Sequence, residues 1–433
     1  MTSRQVLHEN ILSLSILQAI NYIAPLITLP YLVRVLQPPQ FGLLSFAQGV
    51  VLYFDFFTDF GFNFSATKSI AACRNSPRSV SRIFWSTMFA KALLMCASGI
   101  ALALLVAAIP KLRETPSLFA VNGFYLLGTA LFPAWLFQGL EKMKFAVGAL
   151  GIARLLTAGA LVLLVRHPGD YVLAGAIQAS VELIASIFVV PVVFKWVKVS
   201  WYRPSLSDIT DCLKQAWPVF LSNSSLFLSL SSTTVILGSV AGKTEVGYYS
   251  AADKLIKASI AALSPVSQAL YPHVAAARCR SSLSALQLIR KSFAVMVTLS
   301  LLISAGTALL AHPFCQLFFG TSFAHSAVVL ECLSPLPVLF GLIAVLGTQT
   351  MLIFDMEAAL TKIMLAGAVV GIPVTVLLSN ALGAVGAALS SVALATIIVA
   401  GLFVVLYSKG LHVWKYPGAQ PLPLTPLSPT ETE

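Results

Sequence analysis

Residues 382–408 read LGAVGAALSSVALATIIVAGLFVVLYS, twenty-seven residues without one charged side chain. As a helix this run is about 40 Å long, more than the roughly 30 Å of a bilayer's hydrocarbon core. Working outward from it, similar stretches cover roughly 12–36, 41–60, 84–109, 117–140, 145–165, 171–194, 215–240, 245–271, 292–311, 325–354 and 359–380. About twelve apolar spans thus fill nearly all of the 433 residues. Hydrophobic residues make up 58% of the chain and charged ones 10%, too few charges to clothe a water-exposed domain. The expectation is an all-α polytopic membrane protein.

The loops decide orientation. Connections after even-numbered spans carry Lys68, Arg74, Arg78 and Arg82, then Lys142 and Lys144, then Lys195, Lys198, Arg203 and Lys214. Arg278, Arg280, Arg290, Lys291 and Lys362 follow, and with Arg4, Lys409 and Lys415 this face holds 18 of the 27 basic residues. The other face holds five: Arg34, Lys111, Arg113, Arg166 and Lys243. The positive-inside rule then places both termini in the cytoplasm. It also accounts for the net charge of +11 without nucleic acid. Six scattered cysteines show no CxxC spacing and point to neither a disulfide frame nor a metal site. The first span is too long and polar for a cleaved leader and is expected to stay as a helix. The Pro-rich segment 412–433 is expected to be a disordered cytoplasmic tail.

An internal repeat divides the spans. Phe41-Gly42-Leu43-Leu44-Ser45-Phe46-Ala47-Gln48 opens the second span, and Val246-Gly247-Tyr248-Tyr249-Ser250-Ala251-Ala252-Asp253 opens the eighth, displaced by 205 residues. Each half has an even number of spans, so both share one orientation. Two six-helix lobes, 1–205 and 206–411, are expected about a pseudo-two-fold axis along the membrane normal, with a central site between them.

Ionisable residues inside a membrane are costly and mark function by default. Lys91, Arg154, Lys254 and Lys257 fall within spans, as do Asp55, Asp59, Glu182, Asp253 and Glu331, while Arg34 ends the first span. For Lys91, Glu182 and Glu331, snorkelling or a structural ion pair explains the placement equally well. Lys254 and Lys257 lie one turn apart and are expected to face water or an anionic ligand. Gln18, Asn21 and Thr28 on the first span, and Ser222, Ser225 and Ser229 on the seventh, form polar stripes that could line a shared cavity. Prolines 25, 30, 218, 265, 335, 337 and 373 are candidate kinks. No catalytic constellation, metal spacing or phosphate-cradling glycine loop is present in the sequence, so no cofactor is expected.

Leu29-Pro30-Tyr31-Leu32-Val33-Arg34-Val35-Leu36, Phe41-Gly42 and Asp59-Phe60-Gly61-Phe62-Asn63-Phe64-Ser65-Ala66-Thr67-Lys68 together resemble the opening of Wzx-type O-antigen flippases. These form the polysaccharide transporter group of the multidrug/oligosaccharidyl-lipid/polysaccharide exporter superfamily. Gly247-Tyr248-Tyr249-Ser250-Ala251-Ala252-Asp253-Lys254 and Leu270-Tyr271-Pro272 extend the likeness to nearly the whole chain. Lys68 stands where arginine is expected, and Gln37-Pro38-Pro39-Gln40 replaces the usual Gly-Pro turn.

The resemblance implies transport of an undecaprenyl-pyrophosphate-linked oligosaccharide from the cytoplasmic to the periplasmic leaflet of a bacterial inner membrane. Membrane lipids, and a polysaccharide polymerase with chain-length proteins, would be its partners, with no nucleic acid. Arg34, Lys254, Lys257, Arg154 and Lys91 would bind phosphate or acidic sugar, and Asp55, Asp59 and Asp253 would couple an ion gradient. A drug/cation antiporter of the same superfamily should instead have acidic residues dominating its cavity. A membrane glycosyltransferase or O-antigen polymerase would need larger outer loops than these.

Overall fold

The computed structural model describes residues 3–411, and for residues 3–26, 225, 226, 228–230, 269 and 272 it gives the backbone alone. The expected tail from 412 lies outside the described residues. The helices in chain order are α1 (Ser3–Asp59), α2 (Phe62–Ala72), α3 (Pro77–Ala108), α4 (Pro110–Arg113), α5 (Pro116–Leu131), α6 (Ala134–Gly139), α7 (Met143–Leu164) and α8 (Tyr171–Ala179). They continue as α9 (Val181–Lys195), α10 (Leu206–Val240), α11 (Lys243–Ala261), α12 (Ser264–Arg280), α13 (Ser282–Phe314), α14 (Ala324–Leu333), α15 (Leu336–Ile343) and α16 (Glu357–Ser408). Among the described residues, eight stretches are long and apolar enough to cross a membrane. Two of these are double crossings, because α1 breaks at Gln37 and α16 at Gly383. With α10 and the α11–α12 pair the crossings number twelve, as the apolar runs predict.

The break in α1 follows from Pro38 and Pro39. Neither has an amide proton to continue the helix, and a residue before proline is driven out of the α region. Gln37 sits at φ 61°, ψ 163°, and its side-chain amide donates to the Arg34 carbonyl at 2.7 Å. At Gly383 (φ 59°) the second half of α16 is capped from another helix: the Glu245 carboxylate accepts from the Ala384 amide at 2.7 Å.

Four expected spans are not single helices. The span 117–140 breaks at Phe132–Pro133, 171–194 at Ser180, 245–271 around Leu263, and 325–354 at Ser334–Pro335 before continuing in π turns over 344–351. Proline explains three of these breaks: Pro133, Pro265 and Pro335. Pro218 and Pro373, by contrast, sit inside continuous helical stretches, and α16 breaks at Gly383 rather than at Pro373.

Packing divides the molecule by depth. Following the loop charges, the Gln37 end is called outer. In the outer half one hydrophobic core joins both lobes, running from Leu36, Phe41 and Leu44 through Leu118 and Val165 to Val246, Phe319, Phe323 and Ala387. In the inner half the cores are separate, one around Trp135, Phe62 and Ala153 and another around Met296, Leu346 and Leu402. The lobes thus share one core outside and keep separate cores inside, where α10 still packs on the first lobe, Phe60 stacking on Phe220 with ring centres 4.6 Å apart.

Glycine makes the outer fusion possible. A Cβ on Gly42 would lie 1.7 Å from the Lys243 carbonyl oxygen, and one on Gly247 would lie 2.1 Å from the Pro38 carbonyl oxygen. These are the repeat glycines, each against the residue four positions before its counterpart. The contact is its own image under the pseudo-two-fold, so the 205-residue displacement is physically meaningful.

The inter-lobe connection is tied to the first lobe. Ser81 Oγ accepts from the Ser200 amide at 3.0 Å, and Trp85 Nε1 donates to the Ser200 carbonyl at 3.0 Å. Asp208, in the first turn of α10, accepts from the Ser205 amide at 2.9 Å, the Tyr202 hydroxyl at 2.9 Å and Arg82 Nε at 2.8 Å. The Ser205 amide, then Arg82, the Ser205 hydroxyl at 2.8 Å and the Tyr202 hydroxyl, hold its carboxyl well below the usual carboxylate range. A depressed carboxyl stabilises the fold above its unfolded value near pH 4 and loses that contribution as pH falls through the folded value. Asp208→Asn is expected to cost about 1–2 kcal/mol at neutral pH after allowing for solvent screening. Thermal melts at pH 7 and pH 3 check this, and the difference between variant and parent should shrink at the lower pH.

Candidate functional site

Immediately beneath the fused outer core, a cavity of about 200 Å³ opens where α1, α5, α7, α8, α9 and α11 meet. Its polar lining is Thr28, Tyr125, Arg154, Thr157, Gln178 and Glu182 from the first lobe and Lys254 from the second. The Lys254 ammonium stands 5.0 Å from the centre of the Phe41 ring, a cation–π contact that tethers it to the sealed end. Gln178 is fixed by a hydrogen bond to Gln48. Arg154 lies within electrostatic reach of Glu182 and Tyr125.

Behind this cavity, inside the first lobe, lie Asp55, Asp59 and Lys91. Lys91 is 2% exposed, approaches Asp59 Oδ1 at 3.2 Å and donates to the Thr129 carbonyl at 3.2 Å. Asp55, Asp59, Lys91, Arg154 and Glu182 all interact electrostatically with one another or through a shared neighbour. Buried charges persist only when paired, and here the pairing is communal: Asp55, Asp59 and Glu182 share Lys91 and Arg154. The cations Arg154 and Lys254 stand at the cavity wall, while Asp55, Asp59 and Lys91 lie deeper.

A second cavity of about 110 Å³ lies within the other lobe, lined in part by Thr233, Tyr249, Asp253, Lys257 and Ser391. Lys257 Nζ is 2.7 Å from Asp253 Oδ2, and the Tyr249 and Ser391 hydroxyls are 3.2 Å apart.

The structure brings Thr28, Arg154 and Lys254 together as a site, and separates others that the sequence grouped. Lys254 and Lys257 do not share a pocket, because a three-residue step on a helix turns about 60° past neighbouring faces. Lys257 instead pairs with Asp253. Lys91 pairs with Asp59 rather than reaching the cavity. Arg34 lies at the outer end, donating to the Leu317 carbonyl across the lobes. Ser222 donates to the Pro218 carbonyl at 3.0 Å, while the side chains of Gln18, Asn21, Ser225 and Ser229 lie outside the described residues. Sequence reasoning missed Tyr125, Gln178 and Thr157, which carry no intramembrane charge to flag them. Glu182 was visible as a charge, but its partners were not.

Comparisons with known proteins agree with this architecture. The family described as "Polysaccharide biosynthesis protein" matches residues 7–278. A protein of Escherichia coli (strain K12) named "Putative O-antigen transporter" is 31% identical over 396 residues, covering 90% of this chain and 94% of its own. A Shigella dysenteriae protein of the same name is 31% identical over 366 residues, covering 84% and 90%. Among solved structures, the lipid II flippase MurJ in an inward closed conformation superposes with a TM-score of 0.72 at 12% identity, covering 92% of this chain and 87% of that one. An inward-facing MATE multidrug transporter gives 0.69 at 15% identity, covering 94% and 100%. These structures have the fold of two six-helix lobes found here. The chain is a multi-pass membrane transporter, not an enzyme. It belongs to the polysaccharide biosynthesis protein family, among the O-antigen transporters.

Proposed function

We propose that this chain flips an undecaprenyl-pyrophosphate-linked oligosaccharide across the bacterial inner membrane, from the cytoplasmic to the periplasmic leaflet. Lobes 1–205 and 206–411 rock about the central site, with both termini in the cytoplasm. The observation that carries this reading is the cavity at the lobe boundary beneath the shared outer core, lined by Arg154 of the first lobe and Lys254 of the second. Its two cations to one carboxylate suit a pyrophosphate, which Arg binds as a fork and Lys as a point charge. Thr28, Thr157 and Gln178 offer hydrogen bonds to sugar hydroxyls. The prenyl tail stays in lipid, and polymerase and chain-length proteins receive the unit afterwards. An antiporter for cationic drugs is disfavoured because the charges on the cavity wall are mainly cations, with Asp55 and Asp59 set behind it.

Asp55 and Asp59, with Asp253 in the other lobe, are the groups through which an ion gradient drives the cycle. Arg34, placed at the outer end, meets the phosphate only when that end opens. Lys257 and Lys91 act on substrate through their partners Asp253 and Asp59 rather than by direct contact.

Cells lacking the gene are expected to trap complete prenyl-pyrophosphate-linked repeat units on the cytoplasmic leaflet and lose surface polymer. Complementation with Lys254→Ala should restore about a tenth of the polymer, the loss of one charge-assisted hydrogen bond. Normal lipid pools and normal polymer in the deletion strain would sink the flippase reading.

A further inference from the structure

A separate groove runs along the first lobe between α3 and α5, with a volume of about 700 Å³ against about 200 Å³ for the cavity between the lobes. Its walls are almost entirely apolar, among them Met95, Gly99, Ala103, Phe119 and Gly123, and its one charged lining residue is Arg113. We propose that this groove holds the prenyl chain of a polyprenyl phosphate in the outer leaflet, with the Arg113 guanidinium on the phosphate. The proposal rests on the flippase reading above and adds a second site for the carrier lipid, distinct from the transport cavity.

Three observations support it. Small residues on facing membrane helices ordinarily bring the backbones together. Here they line open space instead: a Cβ on Gly99 would meet nothing within 4 Å, and one on Gly123 would meet only Leu102 Cδ2 at 3.7 Å. The groove also ends at the α3–α5 turn, where the loop charges place the outer headgroup level. There the two basic residues of that turn have different tasks. Lys111 Nζ is committed to the far end of α10, donating to the Gly238 carbonyl at 2.6 Å and the Ser239 carbonyl at 3.0 Å. Arg113 donates one Nη2 proton to the Ala107 carbonyl on the groove wall. A guanidinium has five donors in a rigid fork, so a bond to the wall orients it and leaves an edge for phosphate.

A polyprenyl phosphate fits this arrangement better than a glycerophospholipid. The one charged lining residue, Arg113, suits a terminal phosphate monoester, which carries more charge and more free acceptor oxygens than the phosphodiester of a glycerophospholipid.

Native mass spectrometry of the detergent-solubilised full chain tests the idea with undecaprenyl phosphate as the probe. Two bound lipids are expected, one in the groove and one at Arg154 and Lys254. Gly99→Leu should remove the groove lipid alone, because its side chain enters empty space without disturbing the helix. Arg113→Gln should weaken the same lipid about tenfold. Lys254→Ala should affect only the other. The proposal is overturned if Gly99→Leu leaves both lipids bound, or if equimolar phosphatidylglycerol displaces the Gly99-sensitive lipid. Either result leaves the flippase reading standing, since that is judged by the lipid pools of the deletion strain.

Discussion

Replacing Gly42 by leucine is expected to abolish transport by preventing the outer ends of the lobes from closing. At this position even a Cβ would overlap backbone, 1.7 Å from the Lys243 carbonyl oxygen and 2.7 Å from the Gly247 nitrogen. Backbone atoms cannot swing aside as a flexible side chain can, so the helices must part. Overpacking a tight contact costs about 1–3 kcal/mol and sometimes more, and here the penalty falls on one conformation only. A penalty of about 3 kcal/mol on the outer-closed state alone shifts the balance between the two states by roughly 150-fold. Gly247→Leu should behave the same way, because the pseudo-two-fold sets it against Pro38 as Gly42 is set against Lys243. A cysteine at Val246, introduced as Val246→Cys in a background without native cysteines, reports the opening. Val246 is fully buried in the fused core, so its maleimide reaction should be slow in the parent and at least about tenfold faster with Gly42→Leu. Unchanged reactivity with retained transport would show that the two ends do not alternate through this contact.

Much of this was legible in the sequence, and the reasons differ by feature. The twelve crossings could be read because a bilayer enforces about 20 apolar residues per helix whatever its neighbours are. The Gln37 turn was legible because two successive prolines leave the backbone few choices. The Gly42 and Gly247 repeat could be seen, but not that the two glycines touch each other, since contact depends on how the lobes close. Side-chain destinations were the least legible part. Lys254 and Lys257 are three residues apart, yet one faces the other lobe and the other turns into its own. Phe41 reaches Lys254 across more than two hundred residues, and Tyr125 and Gln178 join the cavity with nothing local to distinguish them.

The buried pair Lys91 and Asp59 carries the second large effect. Lys91 is 2% exposed, and its ion pair with Asp59 at 3.2 Å lacks hydrogen-bond geometry at Asp59 Oδ1. Asp59 keeps a quarter of its side chain exposed, so the charge stranded in low dielectric by losing its partner is Lys91. Asp59→Leu is therefore expected to cost about 3 kcal/mol, enough to lower the melting temperature of the purified protein sharply, and Lys91→Ala less. Removing both charges with Lys91→Met and Asp59→Leu should recover most of that loss, because a buried ion pair adds little stability over apolar side chains of similar size. The double variant thus separates structure from transport. If Asp59 couples an ion to the cycle, the refolded double variant melts near the parent yet leaves surface polymer absent in complemented cells. Asp55 and Glu182 stay in place there but have lost the cation and carboxylate beside them, so the charge balance of the site is broken while the fold is not. Recovery of both stability and polymer would reduce the pair to a structural strut and leave Asp55 and Asp253 to carry the coupling.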